Sequence, residues 1–203
     1  MVEKALIRNM EKSDIKFMAD LVNRTWGMRR SERTWASLSA GYFYVYESLA
    51  KETFTCVAER NGKPVGFITG HSNKHVFTHP VYLAKALYHA LRLLCDDTLV
   101  DERNAWRDWE KDVKKLKNSL KCKFEGQVEL FMTAEDERGN GTGLLLFSKM
   151  LDYFRQNNIK SFYLDTDDEC NWPFYEKAGL KRLAQTVKDF GIYLYGNDGT
   201  VSM

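Results

Sequence analysis

The spacing of apolar residues over the first fifty positions predicts one short strand followed by two helices. Residues 4–10 have the composition of a strand, and from about Ser13 apolar residues recur at the three- and four-residue spacing of a helix. A second amphipathic stretch runs from about Glu32 to Ala50. Gly41 and the aromatic run Tyr42–Tyr46 weaken the helical prediction there, because glycine and ring side chains lower helix propensity.

The rest of the chain continues the alternation of strands and helices. Two strand-like runs, 53–59 and 64–70, flank Asn61-Gly62, a dipeptide that strongly favours a hairpin turn. The later pattern predicts a strand, a helix, a strand, a short helix and two closing strands, at 128–132, 144–157, 161–164, 172–178, 181–187 and 190–195 in that order. Such alternation is typical of a mixed α/β fold, and we assign it to a single domain, 1–203.

Residues 72–124 interrupt this alternation with a stretch whose pattern is helical. Pro80 suits the first turn of a helix. An apolar stripe follows at helical spacing, formed by Leu83, Leu87, Ala90, Leu91 and Leu94. A second stripe among mixed charges is formed by Trp106, Trp109, Val113 and Leu116. We therefore expect a helical insertion between the third and fourth strands, apolar on one side and solvated on the other.

Composition limits the class of protein. With 203 residues, 44% of them hydrophobic, the chain can bury one sizeable core. A net charge of +2 without clusters does not indicate a nucleic-acid-binding face. The N-terminus has no apolar signal core, and no run approaches membrane-spanning length. We expect a cytoplasmic protein with no nucleic-acid or membrane partner, as a monomer or a homodimer.

The cysteines and histidines do not indicate a metal site. The four cysteines are far apart and form no Cys-x-x-Cys pair, which argues against a zinc or redox motif. The four histidines fall between positions 71 and 89, and no carboxylate with ligand spacing accompanies them. Pro80 also disfavours a helix that would bring His71 and His75 onto one face. We therefore predict no metal.

The glycine-rich stretch Arg138–Gly143 is the clearest sign of chemistry in the sequence. It follows a predicted strand and precedes a predicted helix, an order that aims backbone N–H groups and a helix N-terminus at a phosphate. A phosphate loop of the NTPase type would end in Gly-Lys-Ser/Thr, but Leu144 follows the last glycine. A dinucleotide fingerprint needs glycine at its first, third and sixth places, which no register supplies. The pattern that remains is Arg-x-x-Gly-x-Gly.

A second motif lies one predicted helix and one predicted strand downstream, over residues 170–180. Its core, Phe-Tyr-Glu-Lys-x-Gly, together with the Arg-x-x-Gly-x-Gly pattern, resembles two segments of the GNAT superfamily of N-acetyltransferases. The resemblance is strongest over 125–180 and extends to 1–70, where the order of elements agrees, but it does not cover 72–124. It implies the GNAT-like acyl-CoA N-acyltransferase fold, acetyl-CoA as acyl donor and an amine as acceptor.

The resemblance also implies which residues bind coenzyme A. Met132 and Thr133, at the end of the strand before the loop, would present backbone groups to the pantetheine arm and the thioester carbonyl. Asn171, one helical turn before Tyr175, would share its face and reach the same arm. The family more often has an asparagine where this chain has Asp168. The pyrophosphate would lie against the loop and the helix after it, at Arg138, Gly139, Asn140, Gly141, Thr142 and Gly143.

Two residues are candidates for proton transfer. Tyr175 matches the general acid of the superfamily, which protonates the departing thiolate, and a phenol with a pKa of about 10 holds its proton at neutral pH. Glu129 lies on the strand before the loop, where members often carry a carboxylate base. Strand alternation would place Glu129 on the face of Gln127 and Phe131. The structural alternatives are a core tyrosine and an exposed strand carboxylate.

We therefore expect an acetyl-CoA-dependent N-acetyltransferase that works through a ternary complex without a covalent enzyme intermediate. One alternative is a non-catalytic acyl-CoA-binding module; a more remote one is a nucleotide-binding protein. The acceptor is expected to be a small-molecule or peptide amine. Three segments are expected to shape the acceptor site: the aromatic run Tyr42–Tyr46, the loop around Trp26–Arg33 and the insertion. The alternatives are that the aromatic rings belong to the core and that the insertion is a dimer contact.

Overall fold

One mixed sheet organises the fold of the chain. The computed structural model describes residues 4–26, 35–74, 78–186 and 190–199, and within them seven strands pair in the order β1-β2-β3-β4-β5-β7-β6. The strands are β1 (Leu6–Asn9), β2 (Phe54–Arg60), β3 (Lys63–Ser72), β4 (Gly126–Thr133), β5 (Ser161–Asp167), β6 (Lys181–Gln185) and β7 (Ile192–Asp198). Neighbouring strands are antiparallel except β4 and β5, which are parallel. The predicted mixed α/β class is confirmed.

Helices cover both faces of this sheet. They are α1 (Asp14–Trp26), α2 (Trp35–Lys51), α3 (Pro80–Leu94), α4 (Val100–Ser119), α5 (Thr142–Gln156) and α6 (Pro173–Lys177). One core lies under α1 and α2, and a second lies under α5 on the opposite face. The insertion predicted between the third and fourth strands is confirmed as α3 and α4. Within the described ranges, none of the helices combines the length and the apolar character that crossing a membrane requires.

Several sequence-based predictions extend beyond the part of the chain that the structure describes. The residues outside it include Glu32, the start predicted for the second helix, and most of the loop Trp26–Arg33. They also include His75 and Val187, the last residue predicted for the sixth strand. The final strand begins at Ile192 rather than at the predicted residue 190 and continues to Asp198.

Two glycines explain local features of the first half of the chain. Asn61 and Gly62 both have positive φ angles, 51° and 70°, which a two-residue hairpin turn between β2 and β3 requires. Gly41 lies inside α2 where it meets α1, and a Cβ there would lie 2.2 Å from the carbonyl oxygen of Ala19. The N–H of Gly41 also donates a hydrogen bond to Asn23 Oδ1 at 2.8 Å. Gly41 therefore permits close helix packing instead of ending the helix.

β4 and β5 separate after a short stretch of pairing, which opens the middle of the sheet. Their parallel ladder ends at the pair Gln127–Tyr163. Beyond it, Val128 and residues 130–133 pair with β3 and residues 164–167 pair with β7, and the two segments do not pair with each other. Among the residues that the structure describes, the edges that face the opening therefore have backbone groups without a strand partner, and these groups can bind a ligand.

A β-bulge in β4 lies beside this opening. Thr69 of β3 is opposite Leu130 and Gly70 is opposite Val128, so Glu129 is an extra residue without a partner position. The hydroxyl of Thr69 accepts a hydrogen bond from the Leu130 N–H at 3.1 Å. Because a bulge bends its strand and increases the local twist, it is a physical reason for β4 to turn away from β5.

The insertion packs in a way that periodicity alone does not predict. α3 lies against α2, with Ala86 as its buried contact, and the leucines of its predicted apolar stripe at 83, 87, 91 and 94 are exposed. α4 lies across the other end of the same face, where Val113 and Leu116 pack against Tyr163 and Leu194. The pattern correctly predicts two helices, but it does not identify the side by which α3 packs against α2.

Candidate active site

The loop Arg138–Gly143 has the backbone geometry of an anion-binding turn. Gly139 and Gly141 have φ angles of 82° and 77°, in the left-handed region that favours glycine. A Cβ at either position would meet no atom of the described residues within 4 Å, so conformation and not crowding requires glycine there. The first backbone bond of α5 runs from the Leu145 N–H to the Gly141 carbonyl at 3.1 Å. The N–H groups just before Leu145 therefore have no acceptor within the helix and can bind an anion.

A buried ion pair supports this loop from the protein interior. Arg60 Nη2 lies 2.8 Å from Glu137 Oε2, and each side chain is only 9% exposed. The Thr142 hydroxyl donates to the same Glu137 oxygen at 3.1 Å. The hydroxyl of Thr142 is therefore directed into the protein, and only its backbone is available to a ligand. Sequence reasoning missed Arg60 and Glu137, since neither lies in the motif and their contact spans 77 positions.

The other loop residues lie at the surface. Arg138 and Asn140 are exposed. Gly143 lies in the first turn of α5, where a Cβ would make an ordinary contact of 3.5 Å with the Phe131 ring. No contact within the described part of the chain therefore requires glycine at position 143, whereas close approach of a ligand to the helix N-terminus would.

Met132 and Thr133 lie at the end of β4, beyond the point where it separates from β5. The side chain of Met132 is buried in the core under α1 and α2, so only its backbone can reach a ligand. Thr133 is half-buried beside Gly143, which places the strand end next to the first turn of α5. The structure therefore brings the predicted strand end and the predicted loop together at the opening of the sheet.

Tyr175 lies on the α5 face of the opening. Its ring centroid is 6.4 Å from that of Phe131, 6.2 Å from that of Phe147 and 5.6 Å from that of Tyr195. Burial raises the pKa of Tyr175 above its ordinary value, and nearby acidic groups, among them Asp165, raise it further. The phenol therefore keeps its proton at neutral pH, as a proton donor must.

The structure does not place Asn171 as the helical pattern predicts. α6 begins at Pro173, so Asn171 precedes it and shares no helix face with Tyr175; its side chain is exposed. Asp168, where the family more often has an asparagine, accepts a hydrogen bond from the Gly191 N–H at 2.6 Å. Asp168 therefore ties the end of β5 to the turn before β7.

Glu129 lies on the opposite face from Phe131, which corrects the prediction from simple alternation. Its Oε2 is 3.2 Å from Lys51 Nζ, and its Oε1 is 3.0 Å from His71 Nδ1. Phe131 packs instead against Phe147 under α5. The bulge is the reason, because an extra residue shifts the alternation of every position after it. Burial acts to raise the pKa of Glu129, but His71 and Lys51 together hold it below its ordinary value.

Sequence reasoning missed a second carboxylate, Asp165, which lies on β5 across the opening from Glu129. It falls one residue beyond the strand predicted at 161–164, and no motif contains it. Burial raises the pKa of Asp165 to about 6, and the charge of Glu129 adds to this effect. The side chain of Trp109, from the inserted helix α4, lies near enough to offset part of this rise in the pKa of Asp165.

Aromatic side chains line the same face, which we call the α2–α4 face after the helices that cover it. Phe43 and Tyr44 of α2 contact Trp106 of α4, with ring centroids 5.6 and 6.3 Å apart, and Trp26 of α1 lies 5.8 Å from Tyr44. Burial raises the pKa of Tyr44 to about 12. The other tyrosines of the predicted aromatic run stack on His89 of α3 instead. The run therefore divides between the two inserted helices.

A mixed sheet that opens between two parallel strands, with a glycine loop and a helix N-terminus at the open end, defines the acyl-CoA N-acyltransferase class of fold. The profile of the Acetyltransferase (GNAT) family matches residues 16–180. The chain therefore belongs to the GNAT family of acetyltransferases. A search of curated protein sequences found no match.

Solved structures share this fold at low sequence identity. The chain is similar to an N-acetyltransferase from Staphylococcus aureus Mu50, at 19% identity over 95% of this chain and 100% of that one, with a TM-score of 0.57. It is also similar to an aminoglycoside 6′-N-acetyltransferase complexed with coenzyme A, at 14% identity over 98% and 99% of the two chains, with a TM-score of 0.58. The Salmonella typhimurium protein yncA with acetyl-CoA matches at 12% identity over 97% and 95%, with a TM-score of 0.56.

Proposed function

We propose that the protein is an acetyl-CoA-dependent N-acetyltransferase that transfers the acetyl group directly to an amine in a ternary complex. The observation that carries the proposal is that the anion-binding loop and a protonated tyrosine meet at the same opening of the sheet. The fold is shared with structures solved with coenzyme A or acetyl-CoA, which supports this choice of donor.

The loop and the free strand edge are the proposed donor site. Arg138 and the N–H groups at the start of α5 would hold the pyrophosphate by charge and hydrogen bonds. The backbone of Met132 and Thr133 would bond the pantetheine arm and direct an N–H at the thioester oxygen. One such donor stabilises the negative charge that develops on this oxygen in the transition state by about 3 kcal/mol.

Tyr175 is the proposed general acid. Collapse of the tetrahedral adduct breaks the carbon–sulfur bond and leaves the electron pair on sulfur, so a proton supplied to sulfur makes the thiol a better leaving group. The apolar rings around Tyr175 keep its phenol neutral until that step. The enzyme needs no covalent intermediate for this reaction.

The proposed acceptor is a cationic amine. The α2–α4 face combines two carboxylates, Glu129 and Asp165, with tryptophan and tyrosine rings, and both kinds of group attract an ammonium ion. Two structures of the same fold are aminoglycoside 6′-acetyltransferases, which supports a small-molecule amine, and a peptide amine is the second possibility.

The test is a thiol-release assay with acetyl-CoA and a panel of aminoglycosides, polyamines, lysine peptides and peptide N-termini. We expect turnover with at least one amine, and we expect Tyr175→Phe to lower kcat at least tenfold, because general acid catalysis contributes about 10²–10⁴-fold. Acetyl-CoA should raise the melting temperature of both proteins, which controls for folding. Unchanged turnover in the variant would remove Tyr175 as the acid. Stabilisation by acetyl-CoA without turnover on any amine would favour a non-catalytic acyl-CoA-binding module.

A further inference from the structure

We propose that Arg182 is the positioning residue for Tyr175: it holds the short helix α6 so that the phenol stays in place for proton transfer. The proposal rests on the proposed function, in which the phenol of Tyr175 gives its proton to the sulfur of coenzyme A. Arg182 lies on β6, an edge strand of the sheet, and belongs to neither of the two motifs. Arg182 exchanges no proton in this step and acts only through the position of Tyr175.

The helix that carries Tyr175 is too short to be rigid by itself. α6 has five residues, Pro173–Lys177, which make about one and a half turns, and none of the five is fully buried. Helices shorter than about 12 residues are marginal in water unless other elements pack against them. The position of the phenol therefore depends on contacts between α6 and the neighbouring strands.

Three hydrogen bonds form a closed triangle that joins α6 to β6 and β7. Arg182 Nη2 donates to Glu176 Oε1 at 3.0 Å, and Arg182 Nε donates to the hydroxyl of Tyr195 at 2.8 Å. The same hydroxyl donates to Glu176 Oε1 at 2.8 Å. Arg182 Nη1 donates to Gln185 Oε1 at 3.0 Å, so each nitrogen of the guanidinium has an acceptor. A planar fork of donors makes these bonds together, which a lysine ammonium cannot do.

Aromatic rings surround the same guanidinium. Its central carbon lies 4.7 Å from the ring centroid of Trp172, 4.5 Å from that of Tyr193 and 5.4 Å from that of Tyr195. A cation is attracted to the face of a ring at such distances. The hydroxyl of Tyr193 donates to Asp168, which fixes this ring in turn. The hydrogen bonds and the rings together restrict the guanidinium to one position.

The groups that Arg182 contacts lie on three sides of Tyr175. The Trp172 carbonyl, just before α6, accepts a hydrogen bond from the Tyr175 N–H at 3.0 Å. Glu176 follows Tyr175 directly in the chain. The ring of Tyr195 packs against that of Tyr175, with centroids 5.6 Å apart. Arg182 therefore fixes the residue just before α6, the residue after the acid and the ring beside it.

An isolated ion pair at this site would not hold the helix. The side chains of Arg182 and Glu176 are 29% and 48% exposed, and exposed pairs contribute little to stability. Arg182 differs from such a pair because its hydrogen bonds and ring contacts all meet at one rigid group, so its loss releases several contacts together. We therefore expect loss of Arg182 to affect catalysis more than overall stability.

The experiment measures kcat, the KM for the best amine of the panel and the Kd for acetyl-CoA in Arg182→Met. This variant should lower kcat about tenfold or more, because a displacement of about 1 Å at a catalytic group can cost about 10²-fold. The KM and the Kd should stay within about twofold of the wild type, since the lost interaction affects only the chemical step. Arg182→Lys keeps the charge without the fork and should recover only a small part of kcat. Lys181→Met, at the exposed neighbouring position on β6, should match the wild type.

A double variant separates positioning from a general loss of structure. If Arg182 acts through the phenol, Arg182→Met combined with Tyr175→Phe should lower kcat no further than Tyr175→Phe alone, because residues that act as a unit are not additive. The same loss from Arg182→Met with and without the phenol would overturn the proposal, and so would full kcat in Arg182→Met.

Two further measurements keep the test decisive. Melting curves show which variants are folded at the assay temperature. Tyr195→Phe removes one corner of the triangle but keeps the ring beside Tyr175, and it should lower kcat by a smaller factor, again only when the phenol is present. This variant replaces Arg182→Met if the latter does not fold. A wild type without transfer to any amine, or Tyr175→Phe with full kcat, contradicts the proposed function and with it the role of Arg182.

Discussion

The two faces of the opening between β4 and β5 are built differently. On the α5 face, the strand end, the glycine loop, the helix N-terminus and Tyr175 all come from one continuous segment, 131–175. On the α2–α4 face, the charged and aromatic groups come from α1, α2, β3, β4, β5 and the insertion. The first face depends mostly on backbone groups and the second on side chains that meet only in the folded protein.

This difference suggests that one face binds the acetyl donor and the other binds the amine acceptor. A donor that is the same in every reaction can be bound by backbone groups whose geometry depends on local sequence, here two glycines with positive φ. An acceptor that varies must be recognised by side chains on elements that can change independently. Variants on the α5 face should therefore alter the affinity for acetyl-CoA, and variants on the α2–α4 face should alter the kinetic constants measured for the amine.

The largest expected effect comes from breaking the buried pair under the loop. Arg60→Met should lower the free energy of unfolding by about 3–5 kcal/mol, because it leaves the buried Glu137 carboxylate without its cationic partner. Arg138→Met is the matched control on the same loop, and its exposed side chain should change stability by less than about 0.5 kcal/mol. Denaturant unfolding without ligand measures both.

For the affinity for acetyl-CoA, the order of the two variants should be reversed, with the larger effect in Arg138→Met. Arg138→Met should weaken acetyl-CoA binding, because a charged hydrogen bond contributes about 1.5–3 kcal/mol, or roughly tenfold or more in Kd. Equal affinity in the wild type and Arg138→Met would show that the backbone alone holds the phosphates. A stable Arg60→Met protein would contradict the structural role of the pair.

The sequence predicts the α5 face well, because its determinants are local. Alternating apolar residues define β4, two glycines define the turn, and the apolar period of 144–157 defines α5. The loop, the helix and the hairpin at Asn61-Gly62 therefore correspond closely to the structure. Arg60 could not be predicted to support the loop, since nothing in its local sequence indicates that Glu137 lies beside it.

The sequence predicts the α2–α4 face poorly. The bulge at Glu129 depends on how β3 and β4 pair, and this pairing is not visible in β4 alone. The alternation rule therefore places Glu129 on the same face as Phe131, which is wrong. Asp165 belongs to no motif, and the groups that shift its pKa, Glu129, Trp109 and Lys51, all lie far from it along the chain. The insertion is visible as two helices, but its contribution to the face depends on tertiary packing.

A smaller effect distinguishes two glycines of the loop. Gly141→Ala should destabilise the protein by about 1 kcal/mol or more, because its φ of 77° strains a residue with a Cβ. Gly143→Ala should leave stability unchanged or raise it by up to about 1 kcal/mol, since this position is helical and the added Cβ makes only ordinary contacts. Thermal unfolding without ligand measures the difference.

Acetyl-CoA binding completes that comparison. If phosphates approach the first turn of α5 closely, Gly143→Ala should weaken acetyl-CoA binding although the protein remains stable. An unchanged Kd in Gly143→Ala would show that the donor does not approach this turn, and the proposed pyrophosphate site would then be wrong in its position.

The smallest expected effect tests the aromatic wall of the α2–α4 face. Trp106→Leu removes edge-on contacts with Phe43 and Tyr44, each pair contributing about 0.5–1.5 kcal/mol. We expect the KM for the amine to rise by about 2–10-fold. Trp106→Phe keeps a ring and should recover most of the loss. Both variants should bind acetyl-CoA like the wild type, because neither touches the loop or the free edge of β4. A change in acetyl-CoA affinity equal to the change in KM would contradict the separation of the two faces, whereas a change confined to the amine would show that the insertion selects the acceptor.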